Sequence, residues 1–351
     1  MKLAKNTLFH DVVKHGGPYS VDYKQKVLDF SSNVNPLGYP NTVKLDLKKI
    51  STYPDHHSTK LKQVLSKYLK ISQNNIVIGN GATEIIYDFC RAMSSTRVLI
   101  VSPTFGEYEA ASKLYGGKPG FFVTMHLQAD LEKFMQKIPK NGIVFVCNPN
   151  NPTGELLSKI SMAQIIKAAK SKSCMVFVDE CFMELTQTPN QSVLDLVPKF
   201  DNLFVLRSLT KSFGLAGLRL GYGIGSKPLV SVLNKIKIPW SVNGLAHQAG
   251  ITALSDKKFL AKTRNLIKSE STFLTNSISK IDGFSCIETK TNFILIKTKQ
   301  PAKTIQKKLL GKNILVRDCS NFRGLGPHYI RIAVKTRKEN KKLVSAFGAI
   351  S

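Results

Sequence analysis

The stretch SLTKSFGLAGLRLGY, Ser208–Tyr222, sets one lysine, Lys211, between small hydroxyl residues, follows it with glycines at 214, 217 and 221, and places Arg219 in the run LRLGY. A lysine kept only for solubility needs no such surroundings. The strand-like run LFVLRS leads into this segment and LGYGIG leads out of it. Working outward from about residue 75 to 225, further short β-branched runs recur: NIVIG, RVLIVSP, IVFVCNP and CMVFVDE. Between several of them lie segments of helical periodicity, such as ATEIIYDFCRAM and SKISMAQIIKAAK. The alternation predicts an α/β fold whose largely parallel sheet is covered by helices, with its chemistry at the strand ends.

After PWSVNGLA (239–246) the rhythm changes to one long helical stretch, AHQAGITALSDKKFLAKTRNLIKSESTFLTNSISKI, followed by the strand-like runs FSCIETKTNFILIKT, NILVRDC and YIRIAVK. The expected organisation is therefore an arm over residues 1–40 that packs with the smaller domain, a large domain over 41–238, and a smaller α+β domain over 239–351. The arm is rich in Gly, Pro and Asn. There is no internal repeat or low-complexity tract.

The chain has 351 residues, 42% of them hydrophobic, which is enough for a sizeable core. No apolar run approaches the roughly 20 residues that span a bilayer, and MKLAKNTLFHDVVKHGG breaks into charges before a signal-peptide core forms. A cytoplasmic location is expected. The six cysteines lie far apart without metal-ligand spacing, so free thiols and no metal are expected. The net charge of +28 favours anionic ligands, phosphorylated metabolites as much as nucleic acid. Because the lysines are dispersed in pieces such as KLDLKKI and TRKENKKL, with no basic stripe interleaved with aromatics, nucleic acid is disfavoured as a partner.

A lysine becomes a Schiff-base former when its surroundings lower its pKa and the partner aldehyde is held in place. Ser208 and Thr210 can donate hydroxyl hydrogen bonds to a phosphate, and Arg219 adds a charge-assisted contact. Upstream, IGNGATEIIYDF reads as strand, turn and helix, so Gly81, Ala82 and Thr83 would offer backbone N–H groups to an anion. VFVDECF puts Asp179 at the end of an apolar strand, where a carboxylate needs a cation, and a pyridinium nitrogen would be one. In VFVCNPNNPTGELL, Asn151 starts a turn and could reach a ring hydroxyl, although NPTG is also a sound turn on its own. Phosphate pocket, aldehyde-binding lysine, carboxylate and amide together describe pyridoxal 5′-phosphate.

The ordered set GNGATE, PTFGEY, NPNNPTG, VDE and SLTKSFGLAGLRLGY resembles the aspartate-aminotransferase-like superfamily, fold type I, over nearly the whole chain. The resemblance implies that Lys211 carries the cofactor, that Asp179 pairs with its ring nitrogen and that Asn151 contacts its 3′-oxygen. Ala82, Thr83, Ser208 and Arg219 would hold the phosphate, Phe105 would stack on the ring, and Tyr53 in STYPD would reach the phosphate of the partner subunit in a homodimer. One departure stands out: Phe182 occupies the position where many relatives have a tyrosine bonded to the 3′-oxygen. That changes the tuning of the cofactor and leaves the role of Asp179 untouched.

Arg331 lies where this superfamily keeps an arginine for the substrate carboxylate; read alone, it is also an ordinary edge-strand arginine. Arg317, Arg323 and Lys335 add a cationic surplus that would suit a phosphate on the substrate. The segments HGGPYS, LDFSSNVNPLG, LVRDCSNFRGLG and YIRIAVK resemble the threonine-phosphate decarboxylases of cobalamin biosynthesis more closely than their sisters, the histidinol-phosphate aminotransferases. On that resemblance a small phosphorylated amino acid is the substrate, and His15, Gly16, Gly17 and Asn33 would face its phosphate beside the arginines. The glycine pair reads equally as a hinge of the arm.

Overall fold

The computed structural model describes Thr7 and residues 12–23, 25–94 and 96–351; the rest of the expected arm lies outside the described residues. The strands are β1 (Leu28–Asp29), β2 (Ile76–Asn80), β3 (Arg97–Ser102), β4 (Lys118–Val123), β5 (Gly142–Cys147), β6 (Met175–Asp179), β7 (Leu203–Ser208), β8 (Leu220–Ile224), β9 (Phe284–Cys286), β10 (Phe293–Thr298), β11 (Ile314–Leu315), β12 (Arg317–Asp318) and β13 (Tyr329–Ala333).

A seven-stranded sheet of order β2-β8-β7-β6-β5-β3-β4 forms the large body. Strand β8 runs antiparallel to both its neighbours, and the pairs from β7 across to β4 are all parallel. Successive side chains point to opposite faces, and here both faces are covered, which is why β5 and β6 read as unbroken apolar runs. One face is branched aliphatic: Val144, Val146, Val176, Val178 and Val205 pack with Leu61, Ile165, Ile166 and Ala249. The other is aromatic: Phe145, Phe177 and Phe204 pack with Phe89 of the helix Gly81–Ala92 and Tyr108 of the helix Glu107–Leu114.

Strand β4 has no counterpart among the runs read from the sequence. Its KPGFFV carries Pro119 and Gly120 and is only partly buried, a composition tolerated because β4 is the outermost strand.

The second body is an antiparallel sheet of order β12-β13-β10-β9 with its own core, including Leu274, Ile305, Ile332, Leu343 and Phe347. The arm joins this body. Strand β1 pairs parallel to β11, and fully buried Phe30 donates to the Leu315 carbonyl (2.7 Å) and accepts from the Ala333 N–H (2.8 Å).

The helical stretch after residue 244 is two helices, Gly244–Ala253 and Phe259–Ile278. The break falls at LSDKK, where Asp256 Oδ1 accepts from the backbone of Lys258 (3.1 Å) and Phe259 (3.0 Å). The first helix buries Ala246, Ala249 and Ala253 in the aliphatic core of the large sheet. The second helix begins in that core with Phe259 and Leu260 and ends in the other with Leu274 and Ile278. It is a spine common to both bodies.

Among the described residues, no helix is long and apolar enough to cross a membrane, and no group of His, Cys, Asp or Glu could hold a metal. All six cysteines are free. On the surface, Tyr53 and Trp240 face each other at 5.1 Å between ring centroids, with Leu47, Ile50 and Ile238 also exposed.

Candidate active site

Strands β5, β6 and β7 end together at Cys147, Asp179 and Ser208, and these ends form the floor of a cavity of about 690 Å³. The start of the helix Gly81–Ala92, residues 13–16 of the arm and residues 317–326 of the second body close its sides. The size suits a cofactor with a small substrate.

Lys211 sits in the single turn Leu209–Ser212 that caps β7 and reaches into the cavity. Burial, and then the nearby charges of Arg331 and Arg219, pull its amine down to about 8, with Cys181 and Asp179 opposing. Buried Asp179 accepts from Tyr108 Oη at 2.6 Å and from the Cys181 N–H at 2.9 Å. Burial still pushes its carboxyl up, because both donors are neutral. A cation at this carboxylate would reverse the balance.

Ala82, Thr83, Ser208, Thr210 and Arg219 line one end of the cavity. Gly81 lies just behind them at φ +76°, and a Cβ there would stand 2.4 Å from Arg219 Nη2, so only glycine leaves the guanidinium its place. Ser208 Oγ caps the Thr210 N–H at 3.2 Å, while the buried Thr210 Oγ1 has no hydrogen-bond partner among the described residues. Helix-start N–H groups, an orphaned hydroxyl and a guanidinium without an ion pair among the described residues fit a phosphate group.

Across the cavity, Arg331 from β13 is buried. It donates through Nη1 to Asn151 Oδ1 and through Nη2 to the Ser31 carbonyl (3.0 Å), and the Asn33 amide oxygen, when turned toward the guanidinium, accepts at 3.2 and 3.3 Å. Arg317 donates to the Lys14 carbonyl (2.7 Å) and to Asn321 Oδ1 (2.8 Å). Burial is the main cause that lowers both guanidiniums, Arg331 to about 10; Arg317 lowers Arg331 further, while Cys319 and Asp29 oppose the shift of Arg331 and Cys319 and Asp318 oppose that of Arg317. Neither forms an ion pair among the described residues. Arg323 differs: it pairs with Glu109 at 2.8 Å and lies 3.9 Å over the Phe121 ring, so its charge is already matched.

Phe105 and Phe182 line the cavity, Phe105 with its ring 5.6 Å from that of His15 and Phe182 edge-on to Phe293 at 5.1 Å. Gly16 lies so close that a Cβ would stand 2.9 Å from the Ser31 carbonyl, and the Gly17 N–H donates to Ser31 Oγ at 2.7 Å. Gly81, Gly17, Tyr53 and Lys335 do not line the cavity; Lys335 pairs with Glu339 instead.

The structure adds residues that the sequence reading passed over. Tyr108 and Glu107 lie inside the quoted PTFGEY, where only Phe105 drew notice, and Ser31 and Lys14 anchor neighbours through backbone atoms. The helix start at Glu107 puts Tyr108 under Asp179, a relation visible only once β3 and β6 are placed in one sheet.

The family described as aminotransferase class I and II matches residues 25–347. A protein described as a candidate threonine-phosphate decarboxylase from Caldanaerobacter subterraneus subsp. tengcongensis is 39% identical over 95% of this chain and 92% of its own length. A histidinol-phosphate aminotransferase structure from Clostridium acetobutylicum superposes with TM-score 0.83 at 30% identity, covering 92% of this chain and 99% of that one. An L-threonine-O-3-phosphate decarboxylase structure from Porphyromonas gingivalis gives 0.82 at 25% identity, with the same coverage of 92% and 99%.

Proposed function

The chain belongs to the aminotransferase class I and II family, a family of pyridoxal 5′-phosphate enzymes, and from that premise we propose that it decarboxylates L-threonine O-3-phosphate. The products would be CO₂ and (R)-1-amino-2-propanol phosphate, the linker precursor of the cobalamin nucleotide loop.

One observation carries this reading. Arg331 and Arg317 line the same cavity, and among the described residues their hydrogen bonds go to neutral acceptors and neither forms an ion pair. A substrate bearing both a carboxylate and a phosphate would relieve both. The relative named as a candidate threonine-phosphate decarboxylase supports the same choice.

In this reading Lys211 binds the cofactor aldehyde, and Asp179, steadied by Tyr108, faces the ring nitrogen. Asn151 serves the 3′-oxygen, Phe105 the ring face, and Ala82, Thr83, Ser208, Thr210 and Arg219 the phosphate, with Gly81 leaving room for Arg219. When bound, the cofactor supplies an electron sink for the pair released at Cα. Arg331 grips the substrate carboxylate while Arg317 and His15 take the phosphate, orienting the scissile bond. Lys211 Nζ then returns a proton to Cα. A cytoplasmic homodimer belongs to the same reading, with Tyr53 reaching the phosphate bound by the partner subunit.

With threonine phosphate and no 2-oxo acid, the enzyme is expected to release CO₂ over many turnovers, since proton return at Cα restores the starting enzyme. A transaminase stops after one half-reaction. Turnover of histidinol phosphate with 2-oxoglutarate, and no CO₂ from threonine phosphate, would reverse the assignment in favour of the aminotransferase named for the neighbour from Clostridium acetobutylicum.

A further inference from the structure

We propose that Glu107 is a positioning residue which, through His15, sets recognition of the substrate's phosphate; the proposal rests on the reading that a phosphorylated ligand occupies this cavity. Glu107 is buried between Gly106 and Tyr108, which line the cavity, and a buried carboxylate is costly unless it is paired or hydrogen-bonded. Its Oε2 accepts from Tyr87 Oη at 2.6 Å, and its Oε1 stands 2.5 Å from His15 Nε2. Burial and the Glu107 carboxylate together push the Tyr87 hydroxyl up, so that hydroxyl remains a donor. An accepting carboxylate oxygen at this distance requires the hydrogen on His15 Nε2. Nδ1 is then the ring nitrogen left for a ligand, and it has no hydrogen bond among the described residues.

The backbone around His15 is held independently of Glu107. Val13 packs on Gly106, where a Cβ would meet its Cγ1 at 3.0 Å. The Lys14 carbonyl accepts from Arg317, and Gly16 and Gly17 rest on Ser31. These contacts bring the half-exposed His15 ring to the same rim as Arg317. A phosphate arriving at Nδ1 shares one proton with that nitrogen and completes a line from phosphate through the ring to the carboxylate, with the Nε2–H donated to Glu107 holding the ring in place.

Glu107 alone repels phosphate; Glu107 behind His15 attracts it. That sign reversal separates positioning from a merely structural role. Holoenzyme variants Glu107→Gln, His15→Ala and the double variant would be compared by steady-state kinetics, and by calorimetric binding of O-phospho-L-threonine, L-threonine and histidinol phosphate. Glu107→Gln is expected to raise KM and Kd for a phosphorylated ligand roughly tenfold, more than it lowers kcat, with no such loss for L-threonine. In the His15→Ala background the same change is expected to cost nothing or to improve phosphate binding. If the two losses multiply, or if L-threonine suffers equally, the proposal is overturned. Should Glu107→Gln fail to fold, Tyr87→Phe tests the same line: about a threefold loss confined to phosphorylated ligands supports it, and no loss overturns it. Phosphate binding that depends on Glu107 without any CO₂ release would overturn the decarboxylase reading and leave this one standing.

Discussion

At the scale of single residues, Lys211 is the group whose chemistry responds to its surroundings. Burial and the charges of Arg331 and Arg219 hold its amine near 8 instead of the ordinary 10.5. The neutral amine attacks an aldehyde, so cofactor capture by stripped enzyme should accelerate as pH rises through about 8, well below the range where an ordinary lysine deprotonates. Rapid-mixing absorbance would follow it. Arg331→Met removes the largest opposing charge and should move the midpoint upward, and Lys211→Ala should abolish borohydride-fixable cofactor. Lys211, Asp179 and Asn151, which line one cavity, drew notice in the sequence because each stands in a short motif at a strand end. Tyr108 and the His15–Glu107 pair were not: their contacts join positions 71 and 92 residues apart, and no local pattern encodes such a distance.

At the scale of elements, the start of the helix Gly81–Ala92 depends on one missing side chain. Gly81→Ala forces a non-glycine residue to φ +76° and drives a methyl into Arg219. About 1–3 kcal/mol of stability should be lost to backbone strain. Thermal unfolding measures that, and fluorescence titration should show cofactor affinity weakened about tenfold as Arg219 is displaced. Element identity was legible wherever burial was complete. Strand β5 is buried along its whole length and reads as an apolar run, and β6 and β7 carry apolar runs that end in the polar residues Asp179 and Arg207–Ser208, whereas β4 lies at the edge with its proline and was invisible. The break between the helices at LSDKK was missed because the turn that Asp256 holds before Phe259 lies inside a stretch whose periodicity barely falters. An arm packing with the smaller body was expected, but its pairing of β1 with β11 could not be read from two residues of strand.

At the scale of the whole molecule, the net charge is +28 and the cavity holds two guanidiniums, Arg331 and Arg317, without an ion pair among the described residues, so capture of a phosphorylated substrate should be electrostatically assisted. Raising ionic strength is expected to lower kcat/KM for O-phospho-L-threonine more than kcat, measurable in a salt series. The exposed group of Leu47, Ile50, Tyr53, Ile238 and Trp240 is the surface on which the proposed dimer would form, and sedimentation should give twice the chain mass of 38.9 kDa. Trp240 is the sole tryptophan of the chain, half-exposed and 5.1 Å from Tyr53. Indole emission is governed by the polarity around the ring, so one chromophore, native to the chain and needing no label, sits on the very surface that association would dry. On serial dilution its emission should move to longer wavelength as subunits part, and that titration reads the dissociation constant directly; emission unchanged across a range in which sedimentation records monomers would place the contact elsewhere.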